Sequence, residues 1–288
     1  VFLPRLRGPG EGLLRAASRR LGRVSAGVLR LARVLRRLGV DVVVCTGSNH
    51  SLFAALAARL AGVPVVCLEA ADRVATRSRT PALLHDYLGV PVALHWPLQR
   101  RLYRRGVVVG PVYPRPPRLE GGEPPGGVEP GYVLVLTGSV GNPRLVRLLL
   151  RTGLERVVLQ TGRLTPPGLV ARLRPGWRVF RFTERLWLWT RWASVVVSHQ
   201  GLGVVEAALG YGKPVVVAYN PDLYMTSGWE DSKLLAGLLN GVAVHLGRAS
   251  PRDLEEAVMA AAERRPPRFP WGGEALAELV LKAAAGSR

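Results

Sequence analysis

Lysine is almost missing from this chain. Of 40 basic residues only Lys213, Lys233 and Lys282 are lysines; the rest are arginines, and 20 acidic residues leave a net charge of +20. Cysteine is reduced to Cys45 and Cys67, too few for a disulfide framework or a cysteine-based zinc site. Both lie in apolar runs, the setting of reduced core thiols in a cytoplasmic protein. No run reaches the roughly 20 apolar residues that span a bilayer, and no charged-then-apolar leader with a cleavage site opens the chain. The histidines are scattered, no DxD-like pair follows a strand, and neither a P-loop nor a Ser-His-Asp set is present, so the expected chemistry uses no metal and no cofactor. Aromatics are 7% of the chain and do not interleave with the arginines, which removes the stacking platform that a nucleic-acid binder needs. Asn, Gln and Met are scarce, as in thermophiles. The chain opens on Val1, and the expectation is a truncated start.

What is present is a regular beat. At 288 residues, 48% of them hydrophobic, the chain has material for about two domains with separate cores. Residues 13–38 read as a basic amphipathic helix. Leu14, Ala17, Leu21, Val24, Val28, Leu31, Leu35 and Leu38 recur at steps of three and four, with arginines between them. Such a helix packs its apolar stripe on a sheet, or lies on an anionic membrane surface. The arginine excess reads either as attraction to an anionic partner or as coding bias. Apolar runs at 40–45, 64–68, 90–95 and 107–109 then alternate with helical stretches at 51–60 and 80–88. Strands apolar on both faces, separated by helices, mean a covered parallel sheet. Residues 114–130 are rich in Pro and Gly without periodicity and read as a semi-rigid linker. After it the beat resumes. Strands are expected at 132–136, 156–160, 177–182, 194–198, 214–219 and 242–246, and helices at 143–150, 166–173, 184–192, 202–211, 230–239, 251–264 and 274–285. The expected architecture is α/β, with two Rossmann-like doubly wound parallel-sheet domains, 1–113 and 131–288, facing a cleft.

Ligands of open α/β sheets bind beyond the strand carboxyl ends. In the second half, strand 132–136 ends in Thr137-Gly138-Ser139 with Gly141, a turn that lets backbone approach a ligand. Strand 194–198 runs into Ser198-His199-Gln200-Gly201-Leu202-Gly203, a polar, Gly-rich helix start suited to a diphosphate. Strand 214–219 is followed by Asn220 and, later, Glu230 and Asp231, acids placed either for ribose hydroxyls or for helix capping. In the first half, strand 40–45 ends in Thr46-Gly47-Ser48-Asn49-His50, and strand 64–68 ends in Glu69 with Arg73 close behind. A carboxylate there is a candidate general base, or one half of a structural Glu69–Arg73 pair.

These motifs resemble the UDP-GlcNAc transferases that add the second sugar of dolichol-linked oligosaccharides. Segment 194–221, SVVVSHQGLGVVEAALGYGKPVVVAYNP, is similar to their donor half. Segment 41–112 is similar to the membrane-recruiting half, through Thr46-Gly47-Ser48, Leu68-Glu69-Ala70 with Arg73, His95-Trp96-Pro97 and Val109-Gly110-Pro111. The likeness is to the fused, archaeal arrangement, with the lipid II-forming GlcNAc transferase as a more distant relative. It covers most of residues 30–240. It implies a GT-B fold and an inverting transfer of GlcNAc from UDP-GlcNAc to a lipid-diphosphate-linked sugar in N-glycan precursor assembly, by a peripheral protein on the cytoplasmic face of a membrane. His199, Gly201 and Gly203 would contact the donor, and Glu69 would serve the acceptor side. Three departures stand out. In a gapless reading the family's ribose-holding glutamate falls on Ala207, one place after Glu206. Asp231-Ser232 replaces a His-Gln pair. The first strand with its Gly-Gly-His turn is missing, residues 1–12 resembling the segment after the second strand, so a missing N-terminal segment or a membrane-anchoring partner is expected. The alternatives are a UDP-GlcNAc 2-epimerase on the same fold and a non-catalytic subunit that binds the UDP-sugar or the lipid.

Overall fold

The computed structural model describes residues 13–117, 123–223 and 227–286. The expectations for residues 1–12 and for 118–122 of the linker lie outside them. The chain forms two compact units, one from the described residues up to Ala70 with Arg77–Gly110 and the segment from Trp271 on, the other from Ala71–Thr76 and Pro111–Pro270.

In the first unit the elements run α1 (Leu13–Arg37), β1 (Val43–Cys45), α2 (Asn49–Ala61), β2 (Val65–Leu68), α3 (Arg79–Leu88), β3 (Val92–Leu94), a 3-10 helix (Pro97–Leu102) and β4 (Gly106–Val108). The four strands pair in the order β1-β2-β3-β4, all parallel, with Cys45 opposite Cys67 and Val92 opposite Gly106. The inner strands β2 and β3 are largely buried and give continuous apolar runs, whereas Val44 of β1 and Val107 and Val108 of β4 are exposed. Cys45, Cys67, Leu84, Leu94 and Tyr103 form the core, and burial pushes both thiols up. The apolar stripe of α1 meets a helix rather than the sheet: Val28 and Ala32 pack against Phe53 and Ala57 of α2. Arg30, Arg33, Arg36 and Arg37 stay exposed. Leu38 departs from the expected stripe and is 70% exposed, because the helix ends one residue before it.

The second unit runs β5 (Tyr132–Leu136), α4 (Pro143–Leu149), β6 (Val157–Gln160), α5 (Pro167–Val170), β7 (Arg178–Phe180), α6 (Leu186–Trp192), β8 (Ala193–His199), α7 (Leu202–Val205, continued by a π turn Glu206–Gly210), β9 (Val215–Tyr219), α8 (Trp229–Leu238), β10 (Val242–His245) and α9 (Pro251–Ala262). Its six strands are parallel in the order β10-β9-β8-β5-β6-β7. The sequence order reverses between β5 and β8, so the carboxyl ends of these neighbouring strands flank a topological switch point. Val135, Leu145, Leu159, Val197, Val216 and Leu254 belong to one fully buried core. The last helix, α10 (Gly273–Ala285), groups with the first unit, where the sequence division had placed it in the second. The reason is local: α10 packs on β2, and Gly272 lies so close to the Gly110 carbonyl that a Cβ there would come within 2.3 Å of its oxygen.

Candidate functional site

The turns after β5, β8 and β9 come together. Gly138 has φ +74°, and a Cβ on it would lie 2.5 Å from Cε1 of His199. Only glycine provides both that backbone angle and room for the imidazole. The same economy holds the next turn: Gly162 has φ +71°, and a Cβ would lie 2.5 Å from the Gly141 amide nitrogen. Arg163 N and Leu164 N donate to the Ser139 and Val140 carbonyls at 3.0 and 2.7 Å, so the 137–141 turn is braced along its length. Ser139 itself is exposed.

A chain of buried amides joins the three turns. Asn142 caps α4, its Oδ1 accepting from Leu145 N at 3.1 Å and from Asn220 Nδ2 at 2.9 Å. Asn220 N donates to Gln200 Oε1 at 3.2 Å, and Gln200 Nε2 donates to the Ser227 carbonyl at 3.4 Å. Ser198 is buried, its hydroxyl donating to the His199 carbonyl at 3.2 Å and lying where Gly203 leaves space. Within this ring three buried polar atoms have no hydrogen-bond partner among the described residues: Asn142 Nδ2, His199 Nδ1 and Ser227 Oγ. Buried polar atoms are almost always paired, so a group of unpaired ones marks where an outside ligand would supply the partner. Burial lowers the pKa of His199, against the opposing Leu136 carbonyl and the charge of Asp72, so the imidazole is neutral near pH 7.

Glu206 opens the π turn, which holds one more residue than an α-helical turn. Ala207 is 1% exposed and packs inward, whereas Glu206 is half-buried with its carboxyl pKa raised by burial.

Four of the expected site residues have other occupations. Glu69 is 1% exposed. Its Oε1 accepts from Ala70 N at 2.7 Å, and its Oε2 accepts from Ser78 N at 3.1 Å and from the Tyr103 hydroxyl. Its own carbonyl takes His95 Nε2 at 2.8 Å. Both oxygens are consumed in holding the 69–78 segment and Tyr103, so the expectation of a general base there is corrected to a structural bracket. Arg73 Nη1 donates to Thr76 Oγ1 at 3.1 Å. Asp231 is fully buried: Oδ1 accepts from Ala75 N at 2.6 Å and Thr76 N at 3.0 Å, and Oδ2 from Thr76 Oγ1 at 2.6 Å and Gly228 N at 3.0 Å. It caps α8 and fastens the 71–76 segment rather than facing a ribose. Glu230 is exposed and pairs with Lys233 at 2.8 Å. The turn of Thr46, Gly47, Ser48, Asn49 and His50 begins α2, with Thr46, Ser48 and His50 exposed. Asn142, Gly162 and Ser227 were not singled out from the sequence. Asn142-Pro143 carried a readable signal, a capping residue before Pro at the first helical position.

With this geometry in hand, known proteins supply context. No family model matches the chain. It is 33% identical over 209 residues to a UDP-N-acetylglucosamine--N-acetylmuramyl-(pentapeptide) pyrophosphoryl-undecaprenol N-acetylglucosamine transferase of Thermus thermophilus, covering 68% of this chain and 58% of the relative. It is 29% identical over 245 residues to the transferase of the same name from a Synechococcus species, covering 82% of this chain and 67% of the relative. The chain therefore spans less than two thirds of the Thermus relative's length. Among solved structures, Acinetobacter baumannii MurG superposes with a TM-score of 0.59 at 17% identity, over 90% of this chain and 78% of that one. A putative UDP-N-acetylglucosamine 2-epimerase from Listeria monocytogenes superposes with a TM-score of 0.63 at 14% identity, over 95% and 79%. The two parallel-sheet units match GT-B glycosyltransferase structures. Identities of 14% and 17% carry the fold and nothing about the reaction.

Proposed function

We propose that the protein is an inverting, metal-independent glycosyltransferase that moves GlcNAc from UDP-GlcNAc to a sugar carried on a lipid diphosphate. The observation that carries this reading is the ring of turns around His199, where Gly138 makes room for a neutral imidazole and three buried polar atoms await partners. The names of the Thermus and Synechococcus relatives supply the reaction class. In this reading the departing diphosphate is met by backbone amides of the Gly138–Gly141 turn and of the Gly201–Gly203 helix start, preorganised donors worth about 3 kcal/mol each in a transition state. Glu206, half-buried at the start of the π turn, receives the ribose hydroxyls, and Asn220 positions the loop beside them. In the first unit, taken by itself, the exposed group of the Thr46–His50 turn able to accept a proton is His50. Among the described residues no helix is long and apolar enough to cross a membrane. We place the protein at the cytoplasmic face as a peripheral enzyme, its exposed α1 arginines facing anionic lipid.

The acceptor is the open choice. N-glycan precursor assembly rests on the resemblance in segments 41–112 and 194–221, whereas both relatives are named for a muramyl-pentapeptide pyrophosphoryl-undecaprenol acceptor. The second is the acceptor to test first. The assay is UDP release from UDP-GlcNAc by the purified protein, with each lipid-diphosphate sugar in turn. Acceptor-dependent release that falls about 100-fold in His199→Ala, with unchanged unfolding, is expected. Release unaffected by His199→Ala would remove the proposed site. Acceptor-free interconversion of UDP-GlcNAc with its 2-epimer would favour the epimerase. UDP-GlcNAc binding without turnover would leave a binding subunit.

A further inference from the structure

Beside the ring of turns, the second unit has another concavity. An open cavity of about 640 Å³ lies along α4, and Arg144, Arg147, Arg151 and Arg172 all line it. Arg144, Arg147 and Arg151 follow at steps of three and four, and the chain keeps turning past the end of α4 through the Leu150 N to Val146 O and Arg151 N to Leu148 O bonds. That spacing puts the three guanidinium groups in one row. Arg172 joins them from the turn after α5. Leu148, Leu169 and Leu246 are buried beneath. One carboxylate answers this charge: Asp222 takes Arg144 through two bonds of 2.8 and 3.1 Å. The side chains of Arg147, Arg151 and Arg172 make no hydrogen bond or ion pair among the described residues.

Arg147 shares the charge of Asp222 with Arg144, which leaves about three positive charges in excess around one hollow; they repel one another, and the repulsion is relieved by an anion bound among them. Planar guanidinium forks match phosphate oxygens in pairs, which a lysine cluster would not do. The charge to be matched is about three, more than one phosphate group carries near neutral pH. We propose that this arginine-lined cavity is a second anion site, selective for a compact diphosphate group and separate from the turns around His199. The diphosphate has two sources, a soluble molecule or the headgroup of a lipid. The site does not depend on the sugar-transfer reading.

The test is calorimetric titration of the protein with inorganic pyrophosphate, without metal. Three variants accompany it: Arg147→Gln/Arg151→Gln/Arg172→Gln; Arg252→Gln/Arg265→Gln/Arg268→Gln, which removes equal charge elsewhere on the unit; and His199→Ala. Saturable binding is expected, weakened about tenfold for each cavity arginine removed, about twofold or less in the remote triple, and in His199→Ala by far less than in the cavity triple. An equal loss in the remote triple would reduce the effect to net charge and overturn the proposal. A loss in His199→Ala as large as in the cavity triple would place the anion at the strand-end turns and overturn it as well, as would the absence of saturable binding. Phosphatidylcholine vesicles carrying a polyprenyl diphosphate then compete with pyrophosphate. Displacement by them, and not by pure phosphatidylcholine vesicles, identifies a lipid source, and failure to displace identifies a soluble one. Either supports the site.

Discussion

Glu69 and His199 occupy the same kind of place, a polar residue at the carboxyl end of a buried parallel strand, and the two units treat them in opposite ways. Around Glu69 the first unit supplies every partner from its own chain: two backbone amides and the Tyr103 hydroxyl. Around His199 the second unit leaves Nδ1 unpaired, together with Asn142 Nδ2 and Ser227 Oγ. A saturated strand end is part of the fold. An unsaturated one is held ready for something outside it, because a buried polar atom left without a partner costs about 1–3 kcal/mol until a ligand supplies one. Position at a strand end therefore nominates a residue, and the state of its hydrogen bonds decides between the two roles.

The largest expected effect that sharpens this contrast is in the saturated site. Glu69→Ala strands two amides and a phenol and should lower stability by about 4 kcal/mol in urea unfolding, with Glu69→Gln recovering part of it. A Glu69→Ala protein of normal stability but lost activity would reverse the assignment. His95, bonded to the Glu69 carbonyl, gives the next effect. Burial holds its pKa at about 4 against an ordinary 6.5. The unfolded chain thus binds a proton that the folded one refuses, so stability falls as pH drops from 6.5 towards 4 and levels off below. The loss at acid pH is at most about 3 kcal/mol, and His95→Gln should flatten that part of the pH profile. Gly138→Ala is the third. Its added methyl meets the His199 ring, and the positive φ disfavours any side chain, for about 1–2 kcal/mol of destabilisation. UDP-GlcNAc affinity should fall further than the stability loss explains, which a titration of folded protein would show. The smallest effect tests exposure: Arg144→Gln breaks a solvent-screened pair with Asp222 and should change stability by less than about 1 kcal/mol, declining with salt.

Much of the fold is legible in the sequence because parallel strands buried on both faces leave uninterrupted apolar runs. The expected 132–136 run is β5 itself, and 64–68 and 194–198 lie within a residue or so of β2 and β8. Edges were less readable. The expected strand at 40–45 begins at Val43, where pairing with β2 starts, since Val40 N still bonds back to α1 in the turn that ends it. In the candidate site, His199 and Gly138 stood out as a histidine in a Gly-rich helix start and a glycine after a strand, although nothing in the sequence said that they touch. Asn142 and Ser227 were passed over because their importance lies in unpaired atoms, which no pattern displays. The π turn at Glu206–Gly210 is invisible in a gapless reading.

The sequence by itself determined the alternation of strands and helices, the parallel sheets and the polar strand ends, all of which follow from local periodicity and burial. The tertiary structure alone decided what those polar ends do. Glu69 is answered by Tyr103, 34 residues away, and Asp231 by Thr76, 155 residues away. Arg172 meets the α4 row only where the cavity closes around them. A side chain's role depends on which partners reach it within hydrogen-bond distance, and those partners are brought together by folding rather than by neighbourhood along the chain.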